Sequence, residues 1–169
     1  YELTAVSCTG MGAGGTATPS INAAGAGGNV TLNAAALNTV TKIICTFTNN
    51  RKPALAVTKT TSQTPLVVGK TGQFYTITIA VSGNPTTAPI TIADTLPTGI
   101  TTSGPITFTG GTLTGCPAAG SPNINSCVVS TGAAVGNIVI TVPVTVAAGA
   151  VNSSTNSASV AGGGDASCP

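Results

Sequence analysis

The chain has 169 residues, room for one large or two small domains, and only 5% of them are charged, against roughly 25% in an ordinary soluble domain. Five cations (Lys42, Arg51, Lys52, Lys59 and Lys70) and few aromatics make neither a nucleic-acid footprint nor a polybasic membrane patch. The lack of histidine removes the commonest general base and metal ligand, and three scattered carboxylates, Glu2, Asp94 and Asp165, do not make a calcium cage.

Thr, Ala, Gly, Ser and Asn fill the space that charge leaves. β-Branched runs separated by Gly, Pro and Asn predict an all-β chain with essentially no helix. Apolar stretches are interrupted by Thr, Pro and Gly, so none approaches the ~20 residues of a membrane span. Tyr1 carries neither an initiator Met nor a signal peptide, so the start reads as a cut, a processed end or the edge of a repeat.

In chain order, the first strand-like runs are 1–8, 15–21, 29–35 and 41–49. The one helix-like run, LNAAALNTV (32–40), reads as a loop or short turn. NRKPA (50–54) follows, charged and proline-bearing, and marks a boundary between residues 1–51 and 52–169. The first portion is too short to bury a good core alone. Its missing strands are expected upstream in a longer chain or from another molecule.

The second portion gives seven runs: 54–61, 73–83, 88–97, 104–110, 126–131, 136–148 and 155–162. Short strands with such turns predict an immunoglobulin-like antiparallel β-sandwich. Alternation puts Tyr75, Ile77, Ile79 and Val81 on one inward face, and Ile138, Ile140, Val142, Val144 and Val146 on another. Pro143 has the opposite parity and predicts an edge strand.

Five cysteines without other metal ligands suggest an oxidising compartment. Cys8 and Cys45 fall in the first and last strands of the first portion, and Cys116 and Cys127 bracket PAAGSPNINS; each couple is read as a disulfide. Cys168 is left over, to stay free or to pair beyond the present end or with another chain. Reduced buried thiols are the alternative. No CxxC spacing supports zinc, and no metal or cofactor is expected.

The segments LAVTKTT, VVGKTGQFYTITIAV, ADTLPTG and TNSASV occur in that order across residues 54–169. Together they resemble the conserved repeat domain of bacterial surface proteins, also called domain of unknown function eleven. VSGNPTTAP departs from the NxG-type stretch usual there. YELTAVSC and CTFTN of residues 1–51 resemble the C-terminal half of a prealbumin-like, collagen-adhesin stalk domain. These resemblances imply tandem modules in large secreted or cell-surface proteins, some cross-linked internally by an isopeptide bond. In such a bond a lysine of an early strand condenses with an asparagine of the last strand, beside a buried acid.

Parity can be tested against that chemistry. Lys59 shares a face with Leu55 and Val57, Asp94 with Ile90 and Ile92, and Asn156 with Ala158 and Val160. All three polar residues therefore fall on apolar faces, one each in the first, a middle and the last strand. The resemblance implies Lys59 as nucleophile, Asp94 as acid/base and Asn156 as electrophile. The same residues also fit plainer roles. Lys59 and Asp94 could form an ion pair, Asp94 could cap the turn TLPTG, and Asn156 could cap a strand end.

Other signals are weak. NVT (29–31) and NSS (152–154) match the N-glycosylation pattern in a chain rich in Asn and Thr. GGGD (162–165) lacks the repetition of a calcium-binding array, and without histidine the many Ser and Thr suggest no nucleophile triad. The function expected is a non-enzymatic structural module of an extracellular or cell-surface bacterial filament. Its partners would be copies of itself or neighbouring repeats, joined head to tail by β-strand addition. The alternative is an adhesin-type binding module that meets a host or surface ligand.

Overall fold

The computed structural model describes residues 1–22, 27–38, 42–150, 155–165 and 167–168. The second glycosylation pattern, 152–154, lies outside them. The chain divides into two compact units, Tyr1–Lys52 and Pro53–Pro169.

The first unit contains β1 (Glu2–Thr9), β2 (Ala17–Ile21), β3 (Gly28–Leu32) and β4 (Ile44–Asn50). β1 pairs antiparallel with β4, with a register irregularity between Leu3 and Ala5, and β2 pairs antiparallel with β3. Cys8 and Cys45 lie opposite each other in that register and form a disulfide. The run at 32–40 holds one 3-10 turn, Ala34–Leu37. Asn33 organises it: its Oδ1 accepts from the N–H groups of Ala36 and Thr16, each at 2.9 Å, and its Nδ2 donates to the Gly14 carbonyl. Among the described residues, Leu3 and Ala36 are the only buried apolar side chains of this unit, while Ile44 and Phe47 of β4 are exposed.

The second unit is an all-β, immunoglobulin-like sandwich. Its strands are β5 (Ala54–Thr61), β6 (Gln73–Ser82), β7 (Ile90–Ala93), β8 (Ile100–Thr102), β9 (Thr107–Thr109), β10 (Leu113–Thr114), β11 (Val128–Val129), β12 (Gly136–Val146) and β13 (Ser159–Gly162). One sheet runs β5-β6-β12-β8, with β9 also on β12, and the other runs β10-β11-β7-β13. All the pairings are antiparallel. The inward faces read from alternation are buried as expected, with Ile77, Ile79, Ile140 and Val142 fully enclosed. Ile90, Ile92, Ile124 and Val129 of the other layer close the same core.

Two short strands, β8 and β10, escape the alternation pattern, because two or three residues show no period. Pro143 is a correction. Its strand, β12, is central rather than an edge, with β6 on one side and β8 and β9 on the other. Val144–Val146 pair with β8 and Val139–Thr141 with β9. Pro143 therefore falls at the junction between the two partners, where the Ser103 N–H donates to its carbonyl at 2.9 Å. A proline in an interior strand is tolerated where the ladder on one side changes partner. Of the aromatics, Phe47, Phe74 and Phe108 lie in strands and are more than a third exposed, and only Tyr75 joins the core.

Candidate functional site

Asp94 follows the last residue of β7. Ile90, Ile92, Asp94 and Leu96 are 0%, 1%, 2% and 4% exposed, so the alternation runs on beyond the strand and carries a carboxylate inward. The ladder stops at Ala93 because a loop replaces the neighbouring strand. The Asp94 N–H donates to Asn125 Oδ1 at 2.6 Å, the Asp94 carbonyl accepts from the Ile124 N–H at 3.0 Å, and the Leu96 N–H donates to the Pro122 carbonyl. The Cys116–Cys127 disulfide closes this loop. The bridge therefore braces the carboxylate as well as the chain.

Lys59 comes from β5, at the edge of the other sheet, opposite Ile77 of β6. Its Nζ donates to Asp94 Oδ2 at 2.5 Å, and the pair is almost wholly enclosed, with side-chain exposures of 5% and 0%. The ammonium also lies over the Tyr75 ring, 4.2 Å from its centroid. Burial holds the Lys59 amine below the ordinary lysine range, while the hydrogen bond and charge of Asp94 pull it back up.

Asn156 precedes β13, which pairs antiparallel with β7 at the opposite edge of Asp94's own sheet from β10. Its amide enters the same cleft of about 660 Å³ as Lys59 and Tyr75. Neither Asn156 Oδ1 nor Nδ2 makes a hydrogen bond, although both are buried, and Asp94 Oδ1 is likewise buried and unpartnered. Such groups carry a desolvation cost of about 1–3 kcal/mol each. Tyr75 is close enough for the Asn156 amide to act on its phenol. Burial raises the phenol pKa, Asn156 lowers it in part, and the Asp94 charge raises it again.

The structure thus brings the three residues to one edge of the sandwich. The ion-pair reading of Lys59 and Asp94 describes their contact. The turn-cap reading of Asp94 does not hold, because Oδ2 meets Lys59 and Oδ1 meets nothing. Nor does Asn156 cap a strand end, since its side chain has no partner.

Sequence reasoning missed Tyr75, Asn125 and Asp165. Tyr75 looked like one more inward core residue of β6. Asp165 sat in a glycine-rich tail, yet it is buried and its Oδ2 accepts from the Leu55 N–H of β5 at 2.7 Å. Its Oδ1 accepts from the Ser167 hydroxyl and N–H. These bonds, with the Ser167 hydroxyl first, hold its carboxyl below the usual range against the opposing effect of burial. The turn that delivers Asp165 needs Gly162, whose φ is +89° and where a Cβ would stand 2.5 Å from the Pro89 carbonyl. Cys168 is a free thiol donating to the Val160 carbonyl at 2.6 Å, its pKa raised by burial and then by the Asp165 charge.

Residues 1–51 match the family described as the Prealbumin-like fold domain. This supports a prealbumin-like stalk domain in the first unit. Domains of that family are structural rather than enzymatic and occur in pili and adhesins of bacterial surfaces. No curated protein and no solved structure matches the chain.

Proposed function

We propose that this chain is a non-enzymatic structural module of a secreted or cell-surface bacterial fibre, and that its sandwich is closed by an amide bond between Lys59 and Asn156. One observation carries the covalent part of this reading. A buried lysine paired with a buried carboxylate stands at the same edge of the sandwich as a buried primary amide, Lys59 and Asn156 lining one cleft, and three of their polar atoms lack partners. An arrangement so costly as a resting state makes sense as a reactive one.

Proton transfer within the Lys59–Asp94 pair gives a neutral amine and a carboxylic acid, which apolar surroundings favour over two charges. The amine attacks Asn156 Cγ, forming the N–C bond. The proton it sheds passes through Asp94 to Nδ2, the C–Nδ2 bond breaks, and ammonia leaves. The net change is amine plus primary amide to secondary amide plus ammonia. The new bond would join β5 of one sheet to the approach of β13 in the other, at the edge that the Asp165–Leu55 hydrogen bond already ties.

Trypsin gives a direct test. Cleavage after Arg51, Lys59 and Lys70 releases 52–59, 60–70 and 71–169, since Lys52 precedes a proline. An acylated Lys59 resists cleavage, so the reading predicts 52–70 joined covalently to 71–169. Separate 52–59 and 60–70 peptides would refute it.

The family match of the first unit supports the surface setting. The assembly we infer is head to tail, by addition of a strand from a second copy to the first unit. Two features favour it. Among the described residues, β4 has β1 on one side and no strand on the other, and Leu3 and Ala36 are the only buried apolar side chains of the unit.

A further inference from the structure

We propose that the Tyr75 hydroxyl is a catalytic hydrogen-bond donor to the Asn156 carbonyl oxygen during amide formation, a second donor beside Asp94. The inference rests on the Lys59–Asn156 reading and adds a residue to it.

Tyr75 is 4% exposed, in the middle of the β5-β6-β12 sheet, opposite Thr61 on one side and Val142 on the other. Pairing on both flanks fixes its backbone. Its ring face holds Lys59 Nζ, and it lines the cleft that Asn156 also lines. One side chain therefore meets Lys59 and lines the cleft shared with Asn156. A core position needs only the ring. A buried phenol needs a partner as well, and the unpartnered Asn156 Oδ1 is an acceptor in the same cleft.

The chemistry requires such a donor. As Nζ bonds to Cγ, the carbonyl electrons move onto Oδ1, a buried atom without a partner, which becomes an oxyanion. Asp94 has one proton to give, and it must also deliver a proton to the departing nitrogen. While it does so, the oxyanion needs another donor. Tyr75 supplies a hydrogen bond and keeps its proton throughout, so the atom balance is unchanged. Its raised pKa leaves it a neutral donor at neutral pH.

The test is the time course of ammonia loss, about 17 Da, followed by intact mass after cell-free synthesis of the full chain. Tyr75→Phe keeps the ring against Lys59 and removes the hydroxyl. The proposal predicts formation slowed ~10²-fold, the usual effect of deleting one oxyanion donor. Equal rates in wild type and Tyr75→Phe would overturn the proposal while leaving the amide bond established. A wild type with no mass loss would overturn both. The control is the Asn156→Ala background, in which no bond forms and Tyr75→Phe should leave the unfolding midpoint unchanged. A lower midpoint there would assign the hydroxyl to structure and overturn its catalytic role.

Discussion

Each buried carboxylate of this chain has a definite task, and each task can be tested by one substitution. Asp165 holds β5 through the Leu55 N–H and orders the tail through Ser167. Its pKa is lower folded than unfolded, so its contribution is present above the unfolded value near ~4 and is lost as pH falls through the folded value. Urea unfolding midpoints of the wild type should therefore drop on acidification below about pH 4. In Asp165→Asn they should be lower at neutral pH and change less over the same acid range. An unchanged acid limb in that variant would remove Asp165 from the account. For Asp94, parity alone placed the carboxylate inward, since the period of two survives past the end of β7. Lys59 was read as its partner by the same parity, whereas Tyr75 and Asn125 were not legible. Tyr75 has the pattern of any core residue, and Asn125 sits in a loop without period. Asp165 depends on three glycines with positive φ, Gly162, Gly163 and Gly164, which no alternation reveals.

At the scale of elements, long strands were legible and short ones were not. β5, β6 and β12 carry eight to eleven residues of clean alternation. β8 and β10 have three and two, and their pairing is decided by β12 and β11. The loop closed by Cys116 and Cys127 matters more than its irregular sequence suggests, because Asn125 and Ile124 fix Asp94. With a sequence separation of 11, this bridge contributes about 3 kcal/mol through loop closure. Replacing both cysteines with alanine should cost the sandwich about that much in denaturant unfolding, and should also slow ammonia loss because Asp94 is less firmly held. In the core, Ile140→Ala should cost about 2–5 kcal/mol, since its side chain is fully enclosed and β12 pairs on both sides. A cost below ~1 kcal/mol would mean the two layers are not packed on β12 as described.

At the scale of the whole molecule, the two units rest on different foundations. The second has a continuous apolar core, and the first has, among the described residues, two buried apolar side chains and a disulfide across a separation of 37. Reduction should therefore unfold the first unit, with loss of exchange protection through residues 1–52, while the second keeps its strands at a protection lowered only by the loss of its own bridge, about 3 kcal/mol. Equal protection in both units after reduction would contradict this division of stability. Phe47→Lys, in the exposed β4, should weaken self-association measured by light scattering without altering the sandwich. The central claim is the covalent closure, and its most direct test is intact mass under denaturing, reducing conditions for wild type and Asp94→Asn. The account predicts that the wild type falls about 17 Da below the mass its sequence requires, while Asp94→Asn retains the full mass. A wild type at full mass would contradict it, and so would an Asp94→Asn protein that loses ammonia as readily as the wild type.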